Sequence, residues 1–97
     1  MWTKEAIERL LKENDRAVER GLVAIYHRQT SEEQNSKTTI HRNGMGFSGA
    51  HASYGSYLAK WILSGKHLNG NHLVKGRSLI LHYTGQLLEV ANQREAA

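Results

Sequence analysis

Apolar residues recur at helical spacing along most of this chain, and no stretch shows the period of two that marks a β-strand. The first such stripe consists of Ile7, Leu10 and Leu11. It predicts a helix that begins after Thr3, because threonine is suited to the N-cap position. The hydrophobic pattern therefore indicates an all-α protein that starts with an amphipathic helix.

Asn14 and Asp15 interrupt the first stripe, and both residue types favour helix caps over helix interiors. They predict a second helix over residues 16–29. The pattern leaves open whether the two helices form one bent rod or a hairpin. At residues 31–34 a serine is followed three positions later by glutamine, which has the form of a capping box and predicts a short, polar third helix over residues 32–37.

The clearest helical pattern in the middle of the chain predicts a fourth helix over residues 50–64. Tyr54, Tyr57 and Trp61 share its apolar face on a helical wheel. We therefore expect these rings in the core. Gly65 follows directly and is suited to end the helix.

The last helix is the longest and is predicted over residues 71–93. Its apolar stripe is broad enough to pack against more than one partner helix. Gly76 and Gly85 weaken a helix interior, so a close neighbour is expected at both. The whole pattern predicts a single domain over residues 1–97. It would be a compact all-α bundle of four to five helices, with a glycine-rich loop before a C-terminal antiparallel helix pair.

The glycine-rich loop, residues 43–49, matches the dinucleotide fingerprint G-x-G-x-x-G. That fingerprint also needs a preceding strand, a returning parallel strand and an acid about 20 residues further on, and none of these is evident. Backbone N–H groups at Gly44, Gly46 and Gly49 could still hold a phosphate or carboxylate at the positive end of the next helix. The simpler interpretation is a tight turn that Phe47 fixes to the core.

Charge separates the two ends of the chain. The 97 residues carry a formal net charge of +4, and none between Glu33 and Glu89 is acidic. The acids before residue 34, Glu19 among them, are interpreted as solvated helix faces and caps. Four basic residues are predicted to form one surface that binds a nucleic-acid backbone: Arg42, Lys60, Lys66 and Lys75. An ordinary solvated surface is the alternative, and no exposed aromatic series is expected beside it.

Two polar residues fall within predicted apolar faces, and we expect structural roles for both. His51 lies near Leu58 on the wheel of the fourth helix, and it is expected to be half-buried with a hydrogen-bond partner near the loop. Arg77 lies within the apolar arc of the last helix, where a charged group needs partners. It is expected to pair with an N-terminal acid or with loop carbonyls; the alternative is that it holds an anion in a cleft.

The residue types needed for catalysis or metal binding do not form a recognisable pattern. The chain has no cysteine, and no two of its six histidines stand at i, i+4 on one helix. No sequence context marks a Ser–His–acid arrangement. We expect a non-enzymatic protein with no metal site and no cofactor. No apolar run approaches the roughly 20 residues of a membrane span, and no signal peptide is evident, so we expect a cytoplasmic protein with no membrane contact.

Four strings resemble a small domain of phages and other mobile elements. They are NGMGF at 43–47, SYLAKW at 56–61, GKHL at 65–68 and HYTGQL at 82–87. The chain is also similar to segments appended to helicase-like proteins. The resemblance implies a nucleic-acid context, and a bacterial host cytoplasm for a phage-derived protein, and it carries over no catalytic residue. One departure is His51, where that pattern usually has an acid.

These observations lead to two expected functions. The first is an accessory protein that binds nucleic acid, or a nucleic-acid-processing complex, through the basic surface. The second is a small inhibitor or regulator of a host enzyme, of the anti-defence type, that acts by protein–protein contact. An enzyme or an anion-dependent switch at the glycine-rich loop is a third alternative.

Overall fold

The computed structural model describes residues 2–35 and 47–96, and these residues are helical apart from short connections. They form helices α1 (Lys4–Glu13), α2 (Asp15–Asn35), α3 (Gly49–Leu63), α4 (Gly70–Ile80), a 3₁₀ turn (Leu81–Tyr83) and α5 (Thr84–Ala96). No strand occurs within these two stretches. The predicted all-α class is confirmed.

Asn14 forms the corner between α1 and α2. Its backbone N–H donates to the carbonyl of Leu10 at 2.8 Å, and its side-chain Oδ1 accepts the N–H of Ala17 at 3.1 Å. One residue therefore ends the first helix and caps the second. The two helices are separate elements joined at a single-residue corner. Helix α1 begins as predicted, because the hydroxyl of Thr3 accepts the N–H of Ala6 at 3.1 Å.

The predicted third helix is wrong as a separate element, because α2 continues through residues 31–34 and ends at Asn35. The remainder of the predicted span, residues 36 and 37, lies outside the described residues. No glycine or proline interrupts the chain between residues 22 and 35. Extending an existing helix adds one backbone hydrogen bond for each residue that is fixed, whereas a new helix must first be nucleated. The capping-box sequence is therefore absorbed into α2.

The predicted last helix, residues 71–93, is divided in the structure. The 3₁₀ turn at Leu81–Tyr83 separates α4 from α5. Helix α4 packs against α2 and α3, whereas α5 packs against α1 and α2. Because a 3₁₀ turn has three residues per turn instead of 3.6, it rotates the apolar stripe between the two helices. The broad apolar stripe of the predicted helix thus packs against different neighbouring helices in α4 and in α5.

Helix α2 supplies the centre of the core. Val18, Leu22 and Ile25 are completely buried, and they belong to one hydrophobic cluster with Leu58 of α3 and Ile80 of α4. Burying a side chain of this size contributes roughly 1.5–3 kcal/mol. Within the described residues, no helix is both long enough and apolar enough to cross a membrane.

The two glycines of the last predicted helix differ in their surroundings. A Cβ atom added at Gly76 would lie 3.2 Å from side-chain carbons of Leu22 and Leu68. A Cβ atom added at Gly85 would meet no atom within 4 Å. The expectation of a close neighbour is therefore right for Gly76 and wrong for Gly85.

Candidate nucleic-acid interface

Four aromatic side chains form a continuous group where α3 and α4 meet. Tyr54, Tyr57 and Trp61 lie on successive turns of α3, and His72 lies at the start of α4. The ring centroid of His72 is 6.5 Å from Tyr54, 5.8 Å from Tyr57 and 6.0 Å from Trp61. Along α3 the successive ring centroids are 6.1 and 6.3 Å apart. We call these four residues the aromatic cluster.

The aromatic cluster is more exposed than the helical wheel indicated. Tyr57 is 47% exposed, and its three companions are half-buried. The prediction that the rings are committed to the core is therefore wrong for Tyr57, whereas Tyr54 and Trp61 are partly buried against the core. Consecutive residues lie about 100° apart around an α-helix, so a helix whose core side is centred on Leu58 turns Tyr57 outward. The pKa of Tyr54 is raised above its ordinary value, mainly because burial removes the hydroxyl from water and to a smaller extent because of the neighbouring Tyr57.

Lys66 covers one face of the Trp61 ring. Its Nζ atom lies 4.2 Å from the ring centroid, within the range of a cation–π interaction. The indole Nε1–H of Trp61 donates to the carbonyl of His67 at 3.2 Å. The indole and the turn after α3 are thus fixed to each other, and the lysine is held at the edge of the aromatic cluster.

Gly65 makes this arrangement of the turn feasible. It follows the end of α3 with φ of 97°, a conformation that glycine adopts without strain. Its N–H donates to the carbonyl of Ile62 at 3.0 Å. The predicted helix end is confirmed, and the sharp change of direction allows Lys66 to return over Trp61.

Lys60 and Lys75 stand beside the aromatic cluster on α3 and α4. Both are exposed. Lys60 lies three residues after Tyr57, and Lys75 lies three residues after His72. Residues at this spacing are neighbours on a helix surface. Helical spacing therefore places two of the predicted basic residues on the same helix surfaces as Tyr57 and His72, and Lys66, over Trp61, is the third.

One acidic residue reaches this region from α2, but its charge is directed inward. Glu19 is only 5% exposed. Its carboxylate accepts the N–H of Leu68 at 2.7 Å and lies 3.1 Å from Nδ1 of His67. The interpretation of Glu19 as a solvated helix-face residue is wrong, because the chain needs a buried acceptor for this turn. The acid fixes the turn that carries Lys66.

The glycine-rich loop is described only from residue 47 onward, so Gly44 and Gly46 lie outside the described residues, as does Arg42. Gly49 is the first residue of α3 and is exposed. The N-cap residue, Ser48, makes no side-chain capping hydrogen bond. Anion binding by these glycines therefore stays a prediction, as does a role for Arg42 in nucleic-acid binding.

Phe47 anchors the start of α3 to the core. The side chain is buried, and its ring lies so close to Gly55 that an added Cβ atom there would be 2.8 Å from three ring carbons. Its ring also packs edge-on against Tyr83, with centroids 5.4 Å apart. These contacts fix Phe47 to the core, as expected from the sequence.

His51 belongs to a hydrogen-bonded group at the start of α3. It is half-buried, and its Nδ1 lies 2.6 Å from the hydroxyl of Tyr83. The same hydroxyl accepts the backbone N–H of Ser48 at 3.0 Å. The ring of His82 lies 5.2 Å from that of His51. These contacts connect His51 and Ser48 at the start of α3 to Tyr83.

Arg77 joins α4 to the corner between α1 and α2. Its Nε–H donates to the carbonyl of Leu11 at 2.7 Å, and its Nη2 donates to the carboxylate of Asp15. Of the two pairings proposed from the sequence, the structure contains the one with an N-terminal acid. The guanidinium is engaged at this helix junction.

A separate apolar groove of about 550 Å³ lies between α1, α2 and α5. Trp2 and Leu10 line it from the N-terminal side, Ala24 from α2, and Val90 and Ala91 from α5. It shares no lining residue with the aromatic cluster. Across the described stretches, no group of three or more His, Cys, Asp or Glu side chains is arranged to hold a metal ion.

Comparison with known proteins gives no indication of the function of the aromatic cluster or of the apolar groove. No protein-family model, curated protein or solved structure matches this chain. Apart from the sequence resemblance, inferences about function therefore come from the chemistry of the side chains.

Proposed function

We propose that this protein is a non-enzymatic accessory module that binds nucleic acid through the aromatic–basic surface, formed by the aromatic cluster together with Lys60, Lys66 and Lys75. The observation that carries the proposal is Lys66 held over Trp61 beside the exposed ring of Tyr57. Lysines attract phosphates, and exposed rings stack on bases. Their combination at one place suits a ligand that has both groups.

The resemblance to a phage and mobile-element domain supports the same proposal. The matching positions of the strings at residues 56–61 and 65–68 include Lys60, Trp61 and Lys66, which belong to the surface, whereas position 57 is variable in the pattern. An origin in a phage or mobile element and action in a bacterial cytoplasm form part of this proposal.

The distribution of charge supports a polyanionic partner. The net charge is +4, and the acid-free stretch between Glu33 and Glu89 contains all three lysines of the surface. The acid that packs beneath the turn, Glu19, is bonded to Leu68 and His67. A surface of one sign raises the association rate of an oppositely charged ligand.

The proposal is tested by fluorescence anisotropy with labelled DNA and RNA oligonucleotides, first at low salt and then over a salt series. Each phosphate neutralised by a lysine releases counterions, so log K falls linearly with log salt. We expect a Lys60→Gln/Lys66→Gln double variant to bind more weakly and to have a shallower slope, by about 0.7–0.9 for each lost contact.

The matched control is a Lys4→Gln/Lys12→Gln double variant of α1, which lowers the net charge equally. Both of these lysines are exposed. We expect it to retain most of the wild-type affinity. If the two double variants lose affinity equally, binding is not located at the aromatic–basic surface. The absence of any binding at low salt would remove the proposed function.

The apolar groove favours a second candidate, a regulator of a host enzyme that acts by protein–protein contact. Apolar side chains from Trp2, Leu10 and Val90 are gathered there, as at many interaction sites. Ala24→Glu places a charge in the groove and should abolish a stoichiometric complex, as measured by pull-down and light scattering. A complex that survives Ala24→Glu would contradict this candidate.

A further inference from the structure

We infer that the nucleic acid bound at the aromatic–basic surface is single-stranded, with Tyr57 as the principal base-stacking residue. This inference rests on the proposed function and names the class of its ligand. It follows from the exposure of one ring, the position of a lysine, and the chemistry that separates unpaired from paired bases.

Tyr57 provides a ring that a base can reach. It is 47% exposed, although tyrosine is a residue that normally gains much from burial. His72 packs against it in a T-shaped contact with centroids 5.8 Å apart. This contact with α4 restrains the ring while much of its surface stays accessible. An ordered, exposed aromatic ring is the feature that proteins use to stack on single-stranded bases.

The position of Lys66 indicates which ring is available to stack on a base. Its Nζ lies over the ring of Trp61, 4.2 Å from the centroid, so one face of that ring is already covered. Trp61 therefore serves to hold the lysine, and the centroid of Tyr57 lies 6.3 Å from it. A strand with a base on Tyr57 would have its phosphates near a lysine that is already positioned.

The row of rings distinguishes a single strand from a duplex. In a duplex the faces of the bases are stacked on one another, and proteins read base edges from the grooves. Lysines alone would suit a duplex backbone, but the rings of Tyr54, Tyr57 and Trp61 would contribute little to it. In a single strand the base faces are free, and each stacked base adds binding energy. The rings therefore favour unpaired nucleic acid.

The test compares four labelled polyanions with the full chain at low salt. They are a single-stranded oligonucleotide, the blunt duplex of the same sequence, an abasic strand of the same length, and poly-glutamate. We expect the single strand to bind most tightly, and the abasic strand to bind roughly 5- to 100-fold more weakly, as expected for the loss of stacking.

Variants of Tyr57 test whether its ring is responsible for the tighter binding of the single strand. Tyr57→Ala should weaken single-strand binding by roughly 5- to 100-fold and leave abasic-strand binding unchanged. Tyr57→Phe keeps the ring and should bind the single strand nearly as well as wild type. Leu63→Ala is the control for loss of an exposed apolar side chain on the same helix, since Leu63 is 52% exposed. Circular dichroism shows that each variant is folded.

The outcomes separate the inference from the proposed function. Equal binding of the single and abasic strands, or tighter binding of the duplex, overturns the single-strand inference and leaves the nucleic-acid proposal standing. Binding of poly-glutamate as tightly as the single strand overturns both, because charge alone would explain it. Failure of every nucleic acid to bind at low salt removes the proposed function, and the inference with it.

Discussion

At the scale of single residues, Glu19 shows how a charged side chain is used to shape a turn. A buried carboxylate is costly unless it is hydrogen-bonded, and here it accepts the N–H of Leu68 at 2.7 Å. That N–H would otherwise be buried without an acceptor. Glu19 therefore connects α2 to the turn that carries Lys66.

We expect Glu19→Ala to lower the free energy of unfolding by about 1–3 kcal/mol, the cost of a buried donor left without a partner. Urea denaturation measures this change. His67→Ala is the control, because the His67 side chain is 56% exposed and its loss should have a much smaller effect. Equal losses in the two variants would show that the Leu68 hydrogen bond does not determine the stability of the turn.

The space at Gly55 provides a second residue-scale prediction. A Cβ atom there would be 2.8 Å from three ring carbons of Phe47, so Gly55→Ala must displace the ring or the helix. We expect a loss of about 1–3 kcal/mol in the free energy of unfolding, as for other overpacked sites. In contrast, Gly85→Ala meets no atom within 4 Å and should stabilise α5 by up to about 1 kcal/mol. A stabilising Gly55→Ala would contradict the packing of Phe47.

At the scale of helices, Arg77 connects α4 to two elements that are far away in sequence. It bonds the carbonyl of Leu11 at the end of α1 and the carboxylate of Asp15 at the start of α2. The corner at Asn14 brings these two acceptors together. Arg77 therefore stabilises the junction of α1, α2 and α4.

We expect Arg77→Met to lower the free energy of unfolding by about 1–3 kcal/mol, because a charged hydrogen bond and its partners are lost. Asp15→Asn should cost less than about 1 kcal/mol, since the Asp15 side chain is 62% exposed and exposed ion pairs contribute little. Under conditions in which the Arg77→Met variant is folded, its affinity for oligonucleotides should equal that of the wild type. A large loss of affinity would instead indicate that Arg77 contacts an anion.

At the scale of the whole molecule, α2 is the helix that the others surround. Its side chains Val18, Leu22 and Ile25 are completely buried, and it packs against α1, α3, α4 and α5. The proposed ligand surface lies on α3, α4 and the turn between them. Helices α3 and α4 therefore contribute Leu58 and Ile80 to the core and carry the proposed surface on their other residues.

Hydrogen exchange followed by nuclear magnetic resonance tests this arrangement. Amides in the best-packed part of a domain exchange only through global unfolding, whereas exposed ends open locally. We expect the amides of residues 18–25 to be the slowest, and those after residue 93 to be among the fastest. If the amides of α3 exchange more slowly than those of α2, the core is not centred on α2.

Several features depend only on residues within a turn or two of one another, and these were predictable from the sequence. Helical periodicity gave the all-α class, and Thr3, Asn14 and Gly65 were recognised as residues that begin or end helices. Their effects come from short-range backbone geometry and side-chain hydrogen bonds to nearby N–H groups. The acid-free stretch that contains Lys60, Lys66 and Lys75 is likewise visible in the sequence.

The sequence by itself therefore determined the helical class and where several of the helices begin and end, since these follow from local forces. Only the tertiary structure decided how distant residues meet: Arg77 lies 62 positions from Asp15, and Leu68 lies 49 positions from Glu19. It also decided that Tyr57 is 47% exposed and that Lys66 lies over the ring of Trp61. A helical wheel gives the angles between side chains, but which angle faces the core depends on where the neighbouring helices pack.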